Sequence, residues 1–383
     1  MWILELIQSI TLLVAGAIGY WVIERLTGYS LDTLYDWMRA KRQSKLAAKL
    51  RATHAGQDFT CGNVSAPIYV YDIEPRPGGY RGEDIYFDDD LLSSAMIIPE
   101  EYKQICNELL PDLERDLRDE KFYDNRDVVG LASLHQNLLG TDEYHKLSMV
   151  GRVGPYIDHL LTVKTFQKLT GADRLEALEL GRETPHPFFS TLLAVSIAVI
   201  TTDAKLMFHR RGRRIYKDPG LWVCGVSEGL KAVDCTWSSQ EPPGGRAGHQ
   251  VLKPPAPLNA AWRGLDEECG IKLQLDEIST IVLRSVVLNT RLYEWYLVGE
   301  IDLRETRHHK LNSMELESSI RNCARDRGRE IDEIAFVPYT PTAVAQFLFS
   351  NQATFTEWGK VAAIYSFLRH GYEWAKLQEA FSK

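Results

Sequence analysis

The stretch AAWRGLDEECGIKL, residues 260–273, concentrates acidic residues at one end of a predicted helix. Asp266, Glu267 and Glu268 fall in its last turn, where the helix dipole favours cations over anions. Two interpretations are open: the carboxylates hold a bound cation, or they form an ordinary solvated surface. The surrounding sequence bears on which of the two applies.

The flanking residues set the predicted ends of this helix. Asn259 is a candidate N-cap, and Gly270 is a candidate stop just after the last turn. Positions 264, 267 and 268 are spaced i, i+3 and i+4, so they share one face of a helix. Two of these positions carry carboxylates, which places a local concentration of negative charge on that face.

Short apolar segments surround the helix. LLAVSIAVITTDAKLMFHRRGRR predicts two strands joined at Thr202 and Asp203, and ISTIVLRSVVL with RLYEWYLVGEID predicts a second pair around Asn289 and Thr290. LWVCGVSEGL, residues 221–230, predicts a strand running into a turn, and IDEIAFVPYTP predicts one more strand. A Pro- and Gly-rich insert precedes the helix. This order predicts the α/β class.

The strand order and the acidic helix together resemble the Nudix family. The second half of the family's signature is filled in register by Arg263, Leu265, Glu267, Glu268, Gly270 and Ile271. The resemblance covers residues 187–350 and implies a Nudix-like α/β/α sandwich with a mixed sheet. It also implies Mg²⁺ or Mn²⁺ as cofactor, and hydrolysis of a nucleoside diphosphate linked to another moiety.

Two departures from the family pattern affect this expectation. The family spacing would put Gly and Glu where this chain has His249 and Pro255. Gly225, with Glu228 nearby, is the candidate counterpart, so a long loop is inserted before the helix; such insertions cost little closure entropy. Gly264 stands where the family has a glutamate that completes the acidic cluster.

The resemblance assigns metal and catalytic roles to acidic residues. Glu267 and Glu268 are the predicted metal ligands, with Glu228 as an auxiliary ligand, since Mg²⁺ prefers carboxylate oxygens. Because Gly264 cannot serve as a base, Glu268 and Glu294 are the predicted catalytic residues. The alternative for the acidic run is a solvated helix face.

The remaining predicted site residues have structural or ligand-binding roles. Arg263 is expected to hold the carboxylates and the preceding loop, as in the family, and Gly270 to end the helix. Arg210 and Arg211 are predicted to bind phosphates, since arginine suits them bidentately, and Trp222 to stack on a base. The alternatives are a basic hairpin tip and a core tryptophan.

Two functions follow from these assignments. The first is a membrane-anchored Nudix-type hydrolase in which a bound Mg²⁺ assists attack by water on a phosphoanhydride. The alternative is a catalytically impaired Nudix-like module that binds a nucleotide and acts as a sensor or regulator at the membrane. A scaffold that mediates only contacts is a third, weaker possibility.

The N-terminus predicts a membrane anchor. Residues 6–23 form an uncharged run of 18, at the lower edge of what spans a bilayer, with aromatic residues near its ends. We predict a single transmembrane helix within 1–27 and a basic juxtamembrane helix at 28–51, with the bulk of the chain cytoplasmic by the positive-inside rule. A secretory signal peptide and a buried soluble helix are the alternatives.

The remaining segments contain no motif that indicates catalysis or ligand binding. Residues 52–186 predict an α+β region of unknown role, with strands around PRPGGYRG and a helix at 99–119, and residues 351–383 predict a C-terminal helical extension. The net charge of -8 argues against nonspecific nucleic-acid binding. The six cysteines include no CxxC pair, which argues against a disulfide framework or a zinc site. Small residues in the anchor allow a homo-oligomer.

Overall fold

A computed structural model of the chain describes residues 59–71, 79–93, 96–119, 125–138, 145–213, 215, 217–235, 254–324 and 331–382. The predicted anchor at 1–27 and the basic helix at 28–51 lie outside these residues, as does the inserted loop at 236–253. Within the described residues, no helix is both long enough and apolar enough to cross a membrane.

Groups of strands are separated by helices along the described chain. The strands are β1 (Phe59–Cys61), β2 (Val64–Ala66), β3 (Ile68–Val70), β4 (Ile85–Ser93), β5 (Asp127–Leu138), β6 (His145–Pro155), β7 (Leu193–Ile200), β8 (Lys205–Arg211), β9 (Trp222–Cys224), β10 (Val226–Gly229), β11 (Val282–Asn289), β12 (Glu294–Asp302) and β13 (Ile331–Pro338). The α-helices are α1 (Lys103–Arg118), α2 (Tyr156–Lys168), α3 (Gly171–Glu183), α4 (Ala232–Cys235), α5 (Ala256–Cys269), α6 (Ser313–Asn322), α7 (Pro341–Ser350), α8 (Glu357–Tyr365) and α9 (Trp374–Ala380).

The largest sheet is mixed and contains eight strands. Its order is β13-β8-β7-β12-β11-β3, with β9 paired to β8 and β10 paired to β7. β12 runs parallel to β7, whereas the other pairs in this sheet are antiparallel. The central strands β7 and β12 are buried along their whole length, as expected for strands covered on both faces. The α/β class and the mixed sheet predicted from the sequence are therefore confirmed.

Helices pack against both faces of this sheet. Val195 and Ile197 of β7 share a buried cluster with Leu265 of α5. Ala198 of the same strand belongs to a second cluster, which contains Val361 of α8. Successive side chains of a strand point to opposite faces, so α5 and α8 lie on opposite sides of the sheet. Which face a residue takes on β12 therefore decides which helix it can meet.

β7 and β8 diverge soon after the turn that joins them. The two strands pair at one position, Ile200 with Leu206. Beyond it, β8 pairs with β9 and β7 pairs with β10, and Gly225 joins the two short strands. Gly225 has φ +65°, and an added Cβ would lie 1.9 Å from the carbonyl oxygen of Ile197. Only glycine fits at this position, where the chain passes from β9 to β10. β10 then pairs with β7 and lies against α5.

The middle segment is part of the same compact unit as the acidic helix. β3 extends the large sheet by pairing Val70 with Val287 of β11, whereas β4, β5 and β6 form a separate three-stranded sheet. The amide of Leu131 in β5 donates to Ser190 O, which joins the small sheet to the start of the predicted 187–350 domain. Gln57–Lys383 form one compact unit.

The ends of α5 match the prediction at one end only. Gly270 adopts φ +68° and ends the helix as predicted. Asn259 is not the N-cap, because the helix begins at Ala256 after Pro255. The Asn259 side chain is instead buried and donates to Asp234 O at 2.9 Å and to Pro254 O at 3.1 Å.

A buried ion pair joins β11 to β12. The guanidinium of Arg284 donates to both carboxylate oxygens of Glu300, at 2.6 to 3.0 Å, and both residues are at most 1% exposed. The pair gives Glu300 a structural role. Breaking such a pair leaves a buried charge uncompensated, which is strongly destabilising.

We expect Glu300→Gln to lower the free energy of unfolding by about 3–5 kcal/mol, since Arg284 would remain buried without its counter-ion. Urea denaturation measures the change. The exposed pair of Arg307 with Asp276, at 3.2 Å, provides the control. Asp276→Asn should cost less than about 1 kcal/mol. Equal effects of the two substitutions would contradict the assignment.

Candidate functional site

Arg263 lies at the centre of an ion-pair network between α5, β10 and α4. Its guanidinium binds Asp234 twice, through Nε at 2.9 Å and Nη2 at 2.8 Å. Nη1 lies 2.8 Å from Glu228 Oε1 and donates to Glu267 Oε2 at 3.2 Å, and Nη2 also donates to Gly229 O at 2.9 Å. Arg263 thus contacts Glu228 and Glu267, two of the predicted metal ligands, together with Asp234 of α4.

Lys231 is a second cation of this network. Its Nζ lies 3.3 Å from Glu228 Oε1 and 3.9 Å from Glu267 Oε2, which places an ammonium between two predicted metal ligands. Burial alone would raise the pKa of Glu228, but Arg263 and Lys231 hold it below its usual range. The Glu228 carboxylate is therefore kept ionised by cations that belong to the chain.

Asp234 completes the network from the short helix α4. Its Oδ2 accepts from the backbone N–H of Lys231 at 2.8 Å and from Nη2 of Arg263, and its Oδ1 accepts from Nε of Arg263. Neither Lys231 nor Asp234 was predicted as a site residue. The available signal in the sequence was the three-residue spacing of Glu228, Lys231 and Asp234. This spacing indicates an ion-pair network only when it is known that Arg263 lies beside these residues in the fold.

Glu268 occupies a more buried position than its neighbour Glu267. Its side chain is 2% exposed, Oε1 accepts from the backbone N–H of Ser227 at 3.3 Å, and Oε2 lies 4.0 Å from Nε2 of His209. Burial and the nearby charge of Arg211 lower the pKa of His209 to about 3, so the imidazole is neutral at pH 7. His209 was not predicted; its position on β8, two residues before Arg211, was the only signal.

Gly264 lies where α5 approaches β10 most closely. A Cβ added at this position would meet Val226 Cγ1 at 2.7 Å and Glu228 Cβ at 3.1 Å. There is therefore no room for the glutamate that the family has here. Introducing one would require β10 to shift. The close packing of α5 on β10 therefore explains why this position carries no carboxylate.

The carboxylates around α5 face cations of the chain rather than an open metal site. Within the described residues, no three His, Cys, Asp or Glu side chains are arranged to hold a metal ion. The carboxylates of Glu228 and Glu267 face Arg263 and Lys231, and position 264 has no room for a ligand. As arranged here, the residues match two internal cations and do not fit Mg²⁺, which needs open oxygen ligands.

Glu294 lies on the opposite face of the sheet from α5. It shares a face with Tyr296, which belongs to the buried cluster on the α8 side, whereas Trp295 belongs to the cluster on the α5 side. Glu294 therefore cannot act together with Glu268 on one substrate bond, although both were predicted as catalytic residues. The alternation of the strand was readable in the sequence, but which face met α5 was not.

Glu294 is held in a buried polar cluster. Its Oε1 lies 2.5 Å from Nζ of Lys217 and 3.1 Å from Nε2 of His159, and Oε2 accepts from the hydroxyl of Tyr296 at 2.9 Å. Burial would raise the pKa of Glu294, but Lys217 and His159 lower it to about 2. A carboxylate with such a pKa is a counter-ion rather than a base at neutral pH.

The predicted ligand-binding residues lie near one another at the end of β8. Arg210 uses its Nε to donate to Gly220 O at 2.8 Å, which holds the loop between β8 and β9. Trp222 is 5% exposed and packs edge-on against Phe347, so its ring is part of the core. Arg211 differs from both, since its Nε is buried and has no hydrogen-bond partner among the described residues.

We expect Gly264→Ala to destabilise the protein by about 1–3 kcal/mol, because overpacking against Val226 outweighs the gain in helix propensity. Thermal and urea denaturation measure the effect. Gly82→Ala is the matched control, since its added Cβ meets nothing closer than 3.6 Å. A neutral or stabilising Gly264→Ala would show that the contact between α5 and β10 is looser than described.

We expect part of the protein's stability to be lost as the pH falls from about 4.5, the ordinary pKa of a glutamate, through the folded-state pKa of about 2 for Glu294. A lowered folded-state pKa stabilises the fold above the unfolded pKa, and protonation removes that contribution. In Glu294→Gln this loss should shrink by roughly 3 kcal/mol. Urea denaturation at a series of pH values tests this, and identical pH profiles would contradict the ion pair.

Comparisons with known proteins leave the family open. No protein-family profile matches the sequence. No curated protein matches it either. Among solved structures, the crystal structure of DR0079 from Deinococcus radiodurans aligns with 48% of this chain and 84% of its own, at 13% identity and a TM-score of 0.26. A similarity at this TM-score carries no argument about fold or function.

Proposed function

We propose that residues 187–350 are a Nudix-like domain that binds a nucleotide-type ligand without hydrolysing it, and so acts as a sensor or regulatory module. Support for the Nudix-like fold comes from α5, which carries the half-signature and packs on one face of a mixed sheet. Arg263 also makes the contacts to loop and carboxylates that the resemblance implies.

The ion pairs around α5 are the observation that supports binding without hydrolysis. Arg263, which also pairs with Asp234, and Lys231 both contact Glu228 and Glu267, the side chains that would otherwise ligate a metal. A divalent ion would have to displace Lys231, which sits 3.3 Å from Glu228. These cations of the chain thus offset part of the desolvation cost of the carboxylates without an external cation.

Among the described residues, no well-placed general base remains beside this network. Gly264 excludes a carboxylate, and Glu294 faces the other side of the sheet. Glu268 is buried against Ser227 and a neutral His209. General-base assistance contributes about 10²–10⁴-fold to a rate, so its loss suits a module that retains its ligand.

The proposed setting is the cytoplasmic side of a membrane. This part rests on the uncharged run at residues 6–23 and the basic residues that follow it. An anchored module that binds a nucleotide could report its occupancy to partners at the membrane surface. Fractionation of cells expressing the full chain tests the anchor: recovery in the cytosolic fraction would contradict it.

We expect the full chain to bind at least one member of a panel of nucleoside diphosphate derivatives, with no turnover when Mg²⁺ or Mn²⁺ is added. Calorimetry measures binding, and chromatography of the reaction mixture measures turnover. Lys231→Met removes the internal ammonium and should increase the stabilisation that Mg²⁺ gives to the fold, because Glu228 and Glu267 would gain a vacancy between them.

Two results would contradict the proposed function. Metal-dependent turnover that is abolished by Glu268→Gln would show that the chain is a hydrolase. Absence of binding to every member of the panel would favour a scaffold instead. Gly82→Ala serves as the matched variant that should change neither binding nor turnover, since it lies outside the network.

A further inference from the structure

Helix α3 presents an exposed face that combines carboxylates with leucines. Asp173, Glu176 and Glu179 are exposed, and Leu175 and Leu180 are 61% and 55% exposed. Residues three or four positions apart are neighbours on a helix surface. Glu176 and Glu179 therefore adjoin each other, and one leucine adjoins each of them. These five residues are called the acid-leucine face below.

The other side of α3 is attached to the core. Leu178 is buried, and the guanidinium of Arg174 lies 4.8 Å from the ring centre of Phe166. The same guanidinium donates to two carbonyl oxygens of the turn between β11 and β12, at 3.2 and 3.3 Å. A Cβ added at Gly181 would lie 1.6 Å from the hydroxyl oxygen of Tyr293, so the helix lies directly on this ring. These contacts fix the rotation of α3 and place the acid-leucine face at the surface.

The carboxylates of the acid-leucine face have no cation of the described chain beside them. Among the described residues, the side chains of Asp173, Glu176 and Glu179 make no ion pair and no hydrogen bond. On the exposed helix α6, by contrast, Glu317 pairs with Arg321 at 2.6 Å. Like charges three positions apart destabilise a helix, so this face carries an electrostatic cost that a cationic partner would relieve.

Tyr102 places a hydrogen-bonding group beside the same face. Its ring stacks on that of Phe188 with the centres 5.3 Å apart, and only 8% of the residue is exposed. Burial raises the pKa of Tyr102, and the charges of Glu101, Glu176 and Asp173 add to this rise, since they lie near its hydroxyl. That hydroxyl has no hydrogen-bond partner among the described residues. A buried tyrosine usually finds a partner for its O–H, so an acceptor on a docked chain suits this position.

The combination of charge and apolar surface favours a protein partner over a lipid surface. Exposed apolar side chains surrounded by polar groups mark interaction sites. The anionic lipids of a membrane would repel the three carboxylates. A helix with lysine or arginine beside its apolar stripe complements both features, because its cations meet the glutamates while its apolar side chains cover the leucines.

We propose that the acid-leucine face docks a basic amphipathic helix of a partner protein. This inference goes beyond the proposed function and does not depend on nucleotide binding. Cations of the partner pair with Glu176 and Glu179, and its apolar residues cover Leu175 and Leu180. The surface gives a regulatory module a contact through which it acts on another protein.

The test measures, by fluorescence anisotropy, binding of the full chain to a synthetic helical peptide of leucine and lysine with leucine at every third or fourth position. Leu175→Ser combined with Leu180→Ser should weaken binding by about tenfold or more, since the apolar contact is lost. Glu176→Gln combined with Glu179→Gln should weaken it similarly. Added salt should weaken binding of the wild type more than that of this glutamine variant, because salt screens the carboxylates.

A charge-matched variant separates this face from the net charge of the protein. Glu114→Gln combined with Glu317→Gln removes two exposed carboxylates from α1 and α6, and it should change the affinity by less than about twofold. All the substituted side chains are exposed, so urea denaturation should show that every variant folds. Equal weakening by the two glutamine variants, or unchanged affinity in the leucine variant, would overturn the inference.

Vesicles of phosphatidylcholine and phosphatidylserine test the lipid alternative. The wild type and the variant with Leu175→Ser and Leu180→Ser should bind these vesicles equally, because the acid-leucine face does not meet lipid. Loss of vesicle binding in the leucine variant would show that the face binds a membrane and would overturn the inference. Both α3 variants should bind the nucleotide panel like the wild type, which keeps this test separate from that of the proposed function.

Discussion

The guanidinium of Arg263 is the contact on which the arrangement around α5 depends. It is mostly buried and binds carboxylates from three elements, through Asp234, Glu228 and Glu267. Its pKa lies above the usual range, since the attraction of Asp234 and Glu228 outweighs the burial that opposes its charge. Without this cation, carboxylates on adjoining elements would repel one another in a region of low dielectric, and α5 would lose its attachment to β10 and α4.

Steric constraints fix how closely these elements approach. Gly225 lets β9 pass into β10 against the backbone of β7, and Gly264 lets α5 settle against Val226 of β10. The same closeness brings Lys231 near Glu228 and leaves position 264 without a carboxylate. Packing and charge thus lead to the same result: the acidic end of α5, which lies at the unfavourable end of the helix dipole, is stabilised by cations of the chain itself.

Local sequence patterns predicted much of the fold but little of the network. Short apolar segments predicted β7, β8, β11, β12 and β13, and Gly270 predicted the end of α5. The long strands β5 and β6 were not predicted, because their segments lack a clear alternation and their partners are distant in sequence. Asn259 was predicted to be an N-cap, but its side chain donates a hydrogen bond to Asp234 O, a contact that depends on tertiary structure. Lys231, Asp234, His209 and the side of the sheet taken by Glu294 likewise depend on contacts between segments far apart in the chain.

Anomalous diffraction from crystals soaked in Mn²⁺ tests the central claim most directly, because it locates a metal without relying on activity. The account predicts no anomalous peak beside α5, with Nζ of Lys231 remaining between the carboxylates of Glu228 and Glu267. A Mn²⁺ peak within about 2.2 Å of those carboxylate oxygens, with Lys231 displaced, would contradict it.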